Sequence, residues 1–549
     1  MTIAKRIPTK FLSKIIEVFM TKERRKEYKP LSFSTTMRNP ARIAAFLNCI
    51  LPYEGHILTS DIIHDVAVNL IMAKLYYTEK YEMKVPEYKR IYKSDDLSFT
   101  REQVEDIIAN SPQDHKEAGF EKGWDSRFDT WYKLPMEFGF IYYEMGKPIT
   151  ISQTGHMLID AFNEVPANDI KIQNVFLNAL MKYQTGNPFR KNANDNVPLV
   201  LLLQVIKFLK DDPDENDAGI LRDELSLIIC WPDKDSERLY KKIKELRTQY
   251  GYNYSDEVIY DECLQLLGAG VDKKKRFKIE QITGEAVDEF IRKMRITGII
   301  SLRGNGRFLD FNQFEVDKIN YILENYSTYT HYASKEEYFR YMGSVDAHIL
   351  TTTTVQEENI DDVRTRTLNE WATSYDKQEI FNELLIACGK RGNKGESRNP
   401  VLRIIDKPTR FELLTSIALK QNFEGLKVCP NYHVDDEGLP TFTASGGFAD
   451  IECYDTDCNP LVEVTLITAR TQATMEMPAI TRHLQEAVDK YPNKIVFSIL
   501  VAPTIHADTK YMAGYSKYQY NVDILTFTTE EFVNVIDKSN KILNILRTN

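Results

Sequence analysis

The chain has 549 residues, of which 43% are hydrophobic and 27% charged, with a formal net charge of -10 at pH 7. That length exceeds what one hydrophobic core supports and predicts roughly three to four compact units, while the composition excludes disordered and collagen-like classes. The longest apolar stretch, 199–208, falls well short of the ~20 residues needed to cross a bilayer.

The basic N-terminus lacks the apolar segment and cleavage site of a secretory signal, so the expectation is a cytoplasmic protein with no membrane partner. Seven cysteines lie scattered without a CxxC pair, which predicts reduced thiols rather than a zinc site. The acidic average argues against nucleic-acid binding, but its distribution argues for it. Residues 1–49 carry eleven Lys/Arg against three Glu, and residues 272–307 carry ten Lys/Arg against five acids.

Taken in chain order, the run STTMRNP at 34–40 leads into a helix, with Asn39 and Pro40 suited to its N-cap and first turn. Arg38 and Arg42 flank that helix start, an arrangement that holds a phosphate; an ordinary capped surface helix is the equally weighted alternative. Residues 131–143 and 149–151 read as two β runs across a Gly/Pro turn, the pattern of a winged-helix unit. Residues 169–266 read as mostly helical.

The winged plan recurs further on. A helix over 284–295 precedes a strand at 298–302, a Gly-rich turn Arg-Gly-Asn-Gly-Arg at 303–307, and a strand at 308–311. Arg292, Lys293, Arg295, Arg303 and Arg307 then form a basic face that predicts DNA contact, with a merely solvated face as the alternative. Residues 312–400 read as helices and polar connections, ending in a Gly-rich linker at 389–397. The organisation predicted is 1–165 and 166–315 as two DNA-recognition subdomains, 316–400 as a helical linker, and 401–549 as an α/β domain.

The informative segment is 446–468. Two β runs flank the cluster DTDCNP at 455–460, so it reads as a hairpin turning at Thr456 and Asp457. Such a turn pairs residues whose numbers sum to 913, which sets Asp450 opposite Glu463. Two bare carboxylates about 5 Å apart across strands repel, and a hard cation such as Mg²⁺ resolves the conflict with one or two carboxylates plus phosphate oxygens. Alternation puts Leu461, Glu463, Thr465 and Ile467 on one face and Val462, Val464 and Leu466 on the core face.

Further elements predicted are an amphipathic helix opening at 410–416, a helix toward the end of 471–490 with Pro478 in its first turn, a buried strand at 494–501, a strand at 522–527 and a helix at 530–546. The order is α-β-β-α-β-β-α. Glu476 and His483, seven apart, share a helix face if both are helical; a surface acid/base pair is the bland alternative.

The chain resembles the AlwI-type restriction endonucleases, which include type IIS and nicking enzymes. The likeness runs from STTMRNP at 34–40 through both wing segments, and is most specific at Asp450, Glu463-Val-Thr465, Glu476-Met-Pro478 and Thr481-Arg-His483, with Phe411-Glu412-Leu upstream. It implies a C-terminal PD-(D/E)xK nuclease domain with Glu412, Asp450, Glu463, Glu476 and His483 as the active site, double-stranded DNA as partner, and a short asymmetric target cut to one side.

The mechanism expected has Asp450, Glu463, the Val464 carbonyl and Glu412 holding Mg²⁺, His483 orienting or deprotonating water, and Glu476 holding His483 or a second metal. Breaking both strands would require a homodimer or partner subunit. Thr465 departs from the general pattern, which has lysine there. A winged-helix regulatory protein and a nonspecific repair nuclease are the competing classes.

Overall fold

The computed structural model describes residues 27–547 apart from 34–36, 38–40, 79–80, 95–96, 165–166, 191, 216–218, 269–275, 352–359 and 391–395. Arg38 and all of STTMRNP except Met37 therefore lie outside the described residues, as do parts of the basic islands and of the Gly-rich linker. No described helix is long and apolar enough to cross a membrane, and all seven cysteines are free thiols.

The N-terminal region is helical, with helices Ala41–Ile50, Ser60–Met72, Arg101–Ala109 and Trp124–Glu137 ahead of a small antiparallel pair, β1 (Ile141–Tyr142) and β2 (Thr150–Ile151). Residues 131–137, predicted as β, are helical instead. Phe128, Trp131, Tyr132, Leu134 and Met136 are buried together with the polar Ser126, Asp129 and Glu137, so polar residues interrupt the apolar face and blur the 3.6 period that would identify a helix. Pro135 lies inside this helix, two residues before its end, where it removes the bond to the carbonyl four residues back.

The second sheet is assembled from distant segments. β4 (Ile300–Arg303) and β5 (Phe308–Phe311) form the predicted hairpin, and β3 (Ile220–Leu221) adds to the far edge of β5. Helix Ala286–Arg295 enters it through a π-turn at Gln281–Glu285. One contiguous apolar core runs from Leu31 to Ile545 and so crosses every predicted boundary.

Gly139 shows how tightly the pieces meet. It sits at φ +78, and an added Cβ would lie 2.7 Å from the Gly343 nitrogen. Gly139→Ala is therefore expected to cost roughly 2–3 kcal/mol, combining left-handed strain with a backbone clash, which urea denaturation followed by tryptophan fluorescence measures.

The C-terminal region opens with α1 (Lys407–Asn422), whose residues 409–419 are all buried. It is a central helix rather than the amphipathic one predicted, because strands and helices cover it on all sides. The main sheet has the order β12-β11-β10-β9-β6. β6 (Lys427–Pro430) pairs antiparallel with β9 (Ile451–Tyr454), which pairs antiparallel with β10 (Leu461–Val464). β10, β11 (Ser498–Ala502) and β12 (Ile524–Thr528) run parallel.

β11 is buried along its whole length, as a strand covered on both faces must be. Between β10 and β11 lie α2 (Ala469–Met475) and α3 (Met477–Lys490), with Pro478 in the first turn of α3. α4 (Ala507–Tyr520) and α5 (Thr529–Lys538) complete the layers. The predicted order omits the hairpin β7 (Tyr432–Val434) and β8 (Pro440–Ala444), the strand β6, and α4.

Alternation along β10 separates two cores. Val462, Val464 and Leu466 join the main core. Leu461 packs on the opposite face with Met477, Ile480 and Leu484 of α3. At about 25 cal/mol per Å² of apolar surface, this second cluster supplies the force that clamps α3 over the sheet. That placement matters because α3 carries His483.

Candidate active site

The turn Asp455–Cys458 closes with the Asp455 N–H donating to the Cys458 carbonyl at 2.9 Å. The register that follows pairs Leu461 with Glu452 and Val462 with Ile451. Both pairs sum to 913, so the next pair along is Glu463 with Asp450, as the turn chemistry predicted.

Main-chain bonds lock the two carboxylates in place. The Val464 N–H donates to Asp450 Oδ2 at 2.7 Å, and the Asp450 N–H donates to Glu463 Oε2 at 3.2 Å. Glu412 reaches the same region from α1, its Oε2 accepting the Ala444 N–H at 3.0 Å.

Three of these acids are held toward their neutral forms. Burial, then the charges of Asp450 and Glu463, push Glu412 well above the usual carboxylate range despite the Ala444 bond. Burial and then Glu463 do the same to Asp450. Burial and Glu463 also raise Glu476, against the Thr465 hydroxyl. Among the described residues, none of Glu412, Asp450, Glu463 and Glu476 has a Lys or Arg ion-pair partner; Glu463 has only His483.

Mutual repulsion without a protein cation, in a donor set made of hard oxygens, fits Mg²⁺. Among the described residues no three His, Cys, Asp or Glu side chains are pre-arranged as a metal cage.

Two auxiliary assignments change partners. Glu476, the hinge residue between α2 and α3, bonds Thr465 rather than His483, with the Thr465 hydroxyl donating to Glu476 Oε1 at 2.7 Å. His483, buried on α3, places Nδ1 at 3.1 Å from Glu463 Oε1. Through this contact Glu463 fixes the orientation of the imidazole ring. Nε2 is buried without a hydrogen-bond partner.

Thr465 thus acts as a clamp on Glu476. Its hydroxyl also accepts the Ile467 N–H at 3.0 Å, fixing the chain where the strand ends. Alternation had placed Thr465 on the Glu463 side, but its partner was hidden, because Glu476 was read as part of the helix and set toward His483. Gln472 was also missed. Fully buried, it donates to the Ile467 and Thr504 carbonyls and accepts from the His506 N–H and the Thr509 hydroxyl, tying α2 to α4.

Thr465→Val keeps the shape and removes the clamp. Single-turnover cleavage is expected to fall roughly 10–100-fold, the range for losing a group that orients a site residue, with Thr465→Ser restoring most of it.

The predicted DNA-contacting cations mostly face inward. Lys293 is fully buried and Arg295 pairs with buried Asp435 at 3.2 Å. Arg303 is held by Asp310, Asp436 and Glu437, and Arg292 by Glu289 and the Arg403 carbonyl. Arg42 donates to the Leu75 carbonyl and stacks over Phe46. Arg307 alone of the five from the second basic island is exposed. The outward basic face expected of Arg292, Lys293, Arg295 and Arg303 is not what the fold presents, because carboxylates both near (Glu289, Asp310) and distant in sequence (Asp435, Asp436, Glu437) pair with them.

The architecture is thus an α/β sheet with repelling carboxylates paired across neighbouring strands, joined to a longer helical region. The AlwI restriction endonuclease family matches residues 136–378 and 344–535, together well over half the chain, and the chain belongs to that family. It is accordingly a restriction-type DNA nuclease.

No curated protein matches the chain. Among solved structures, the small subunit (R.BspD6I2) of the heterodimeric restriction endonuclease R.BspD6I is similar at 22% identity over 31% of this chain and 85% of that one, with a TM-score of 0.25. The restriction endonuclease FokI is similar at 11% identity over 95% and 97% of the two chains, with a TM-score of 0.24. FokI bound to DNA gives 10% identity over 95% and 98%, with a TM-score of 0.23.

Proposed function

We propose that the chain is a type IIS-like endonuclease that hydrolyses DNA phosphodiester bonds a few bases outside a short asymmetric site, leaving a 5′-phosphate and a 3′-hydroxyl. In this reading the C-terminal region is a PD-(D/E)xK domain and the β1–β2 and β4–β5 segments are wings of the DNA-reading half. The observation that carries it is the placement of Asp450 and Glu463 at one register position without a neutralising Lys or Arg.

Asp450 and Glu463, with Glu412 and the Val464 carbonyl, would hold Mg²⁺. When bound, the ion supplies an acidified water and neutralises charge on the phosphoryl oxygens. His483 holds Glu463 in position through Nδ1 and offers Nε2 as a proton acceptor for the attacking water. Glu476 is fixed by Thr465 at the rim. Each active site cuts one strand, so cutting both takes a second copy or a partner subunit.

Incubation of plasmid with the chain and Mg²⁺, followed by run-off sequencing of the ends, tests this. Discrete fragments or nicked circles at a fixed offset support it. A smear would instead indicate a nonspecific nuclease, and uncut plasmid that is nonetheless bound would indicate a winged-helix regulator.

A further inference from the structure

A cleft of about 790 Å³ lies where the helical region meets the C-terminal region. Six cations line it: Arg42, Arg292 and Arg295 from the helical side, and Arg403, Lys407 and Arg410 from the other. Only three acids face them, Asp169, Glu396 and Asp406. Three of the arginines keep carboxylate partners, Glu289, Asp435 and Asp288, which leaves the lining with more positive than negative charge.

The cleft lies near the carboxylate site: Asp169, in its lining, is among the charges that raise Glu412, and Thr443 precedes Ala444, whose N–H holds Glu412. Phe442 and Leu466 give it an apolar floor between the cations. Its volume is on the scale that encloses a drug-sized ligand, hence a nucleotide or two of one strand and not a duplex.

We infer that this cleft receives the sugar–phosphate backbone of a single DNA strand adjoining the scissile bond, with Arg403 and Lys407 contacting its phosphates. Charge alternating with apolar surface is how a protein tracks one strand without reading its sequence. Burial and the neighbouring Arg410 charge hold Lys407 below its ordinary pKa, as befits an ammonium set among like charges. The inference rests on the nuclease reading of the adjacent carboxylates.

The test uses the full chain in EDTA, so that nothing depends on cutting. Lysine acylation at Lys407, read by mass spectrometry, is compared with and without a labelled DNA oligonucleotide, and with inorganic phosphate at the same ionic strength. Protection by DNA is expected, together with a salt slope that drops by roughly 0.7–0.9 for each of Arg403→Gln and Lys407→Gln; Lys407→Arg keeps the slope. Both side chains are partly exposed, and thermal melting checks that the variants fold.

Equal labelling with and without DNA and unchanged slopes overturn the inference, as does equal protection by phosphate alone, which would mark a simple anion site. A chain that protects Lys407 yet never cuts with Mg²⁺ would sink the nuclease reading while leaving the strand channel standing.

Discussion

Asp450→Ala is expected to lower the single-turnover cleavage rate at least about 10³-fold while changing DNA affinity, measured by fluorescence anisotropy in EDTA, by less than about threefold. The rate loss is the scale of removing an electrostatic group from a reacting centre, and the affinity is preserved because phosphate binding draws on cationic side chains and not on this carboxylate. Asp450 also accepts the Val464 N–H, so alanine leaves an amide without its partner, and Asp450→Asn is the better probe of charge alone.

Asparagine keeps the acceptor and removes the repulsion from Glu412 and Glu463. It is therefore expected to be equally inactive yet at least as stable as the parent in EDTA, the pattern of a site that trades stability for activity. Titration with Mg²⁺ separates the two variants from the parent further. At a concentration one hundred times its Kd, a ligand bound only by the folded state stabilises by about 2.7 kcal/mol, and scanning calorimetry should show that rise for the parent and not for Asp450→Asn. An inactive Asp450→Asn that still gains stability from Mg²⁺ would place the ion elsewhere.

How much of this was legible depends on how local the determinants are. The Asp450–Glu463 register was readable because a six-residue turn cluster sets it and period-two alternation confirms it, and both signals lie within twenty residues. α3 was readable through Pro478, which is tolerated only in a first turn. α4 was not, since its tyrosines and lysines leave Tyr511 and Tyr518 exposed and its apolar face is weak. Nor was the fate of the basic islands, because the partners of Arg295 and Arg303 sit at Asp435, Asp436 and Glu437. Nothing within reach of a sequence window reveals a charge pair closed across 130 residues or more.

Those pairs lead to the second large effect. The β7–β8 turn docks onto the β4–β5 hairpin through a set of polar contacts. Arg295 donates to Asp435 Oδ2 and to the Pro440 carbonyl, both at 3.2 Å. Arg303 pairs with Asp436 at 2.7 Å, the Ser301 hydroxyl donates to Asp436, and the Thr367 hydroxyl donates to the Glu437 carbonyl at 2.7 Å.

Arg295→Met strands the fully buried Asp435 and is expected to cost about 3–5 kcal/mol, the range for removing one member of a buried ion pair. Asp435→Asn in the same chain should recover part of the loss by removing the orphaned charge. Burial already pushes Asp435 up to about 6 even with Arg295 present, so the folded state binds this proton more tightly than the unfolded chain does. The contribution of Asp435 is therefore fully present below about pH 4 and is lost as pH rises through about 6.

Without Arg295 the folded-state pKa climbs further, and the penalty in Arg295→Met should be smallest at low pH and grow toward neutrality. Parallel denaturation curves of the two proteins from pH 4.5 to 8 measure that divergence. A pH-independent gap would mean that Asp435 titrates identically in both, and that the loss comes from the packing of the arginine stem rather than from its charge.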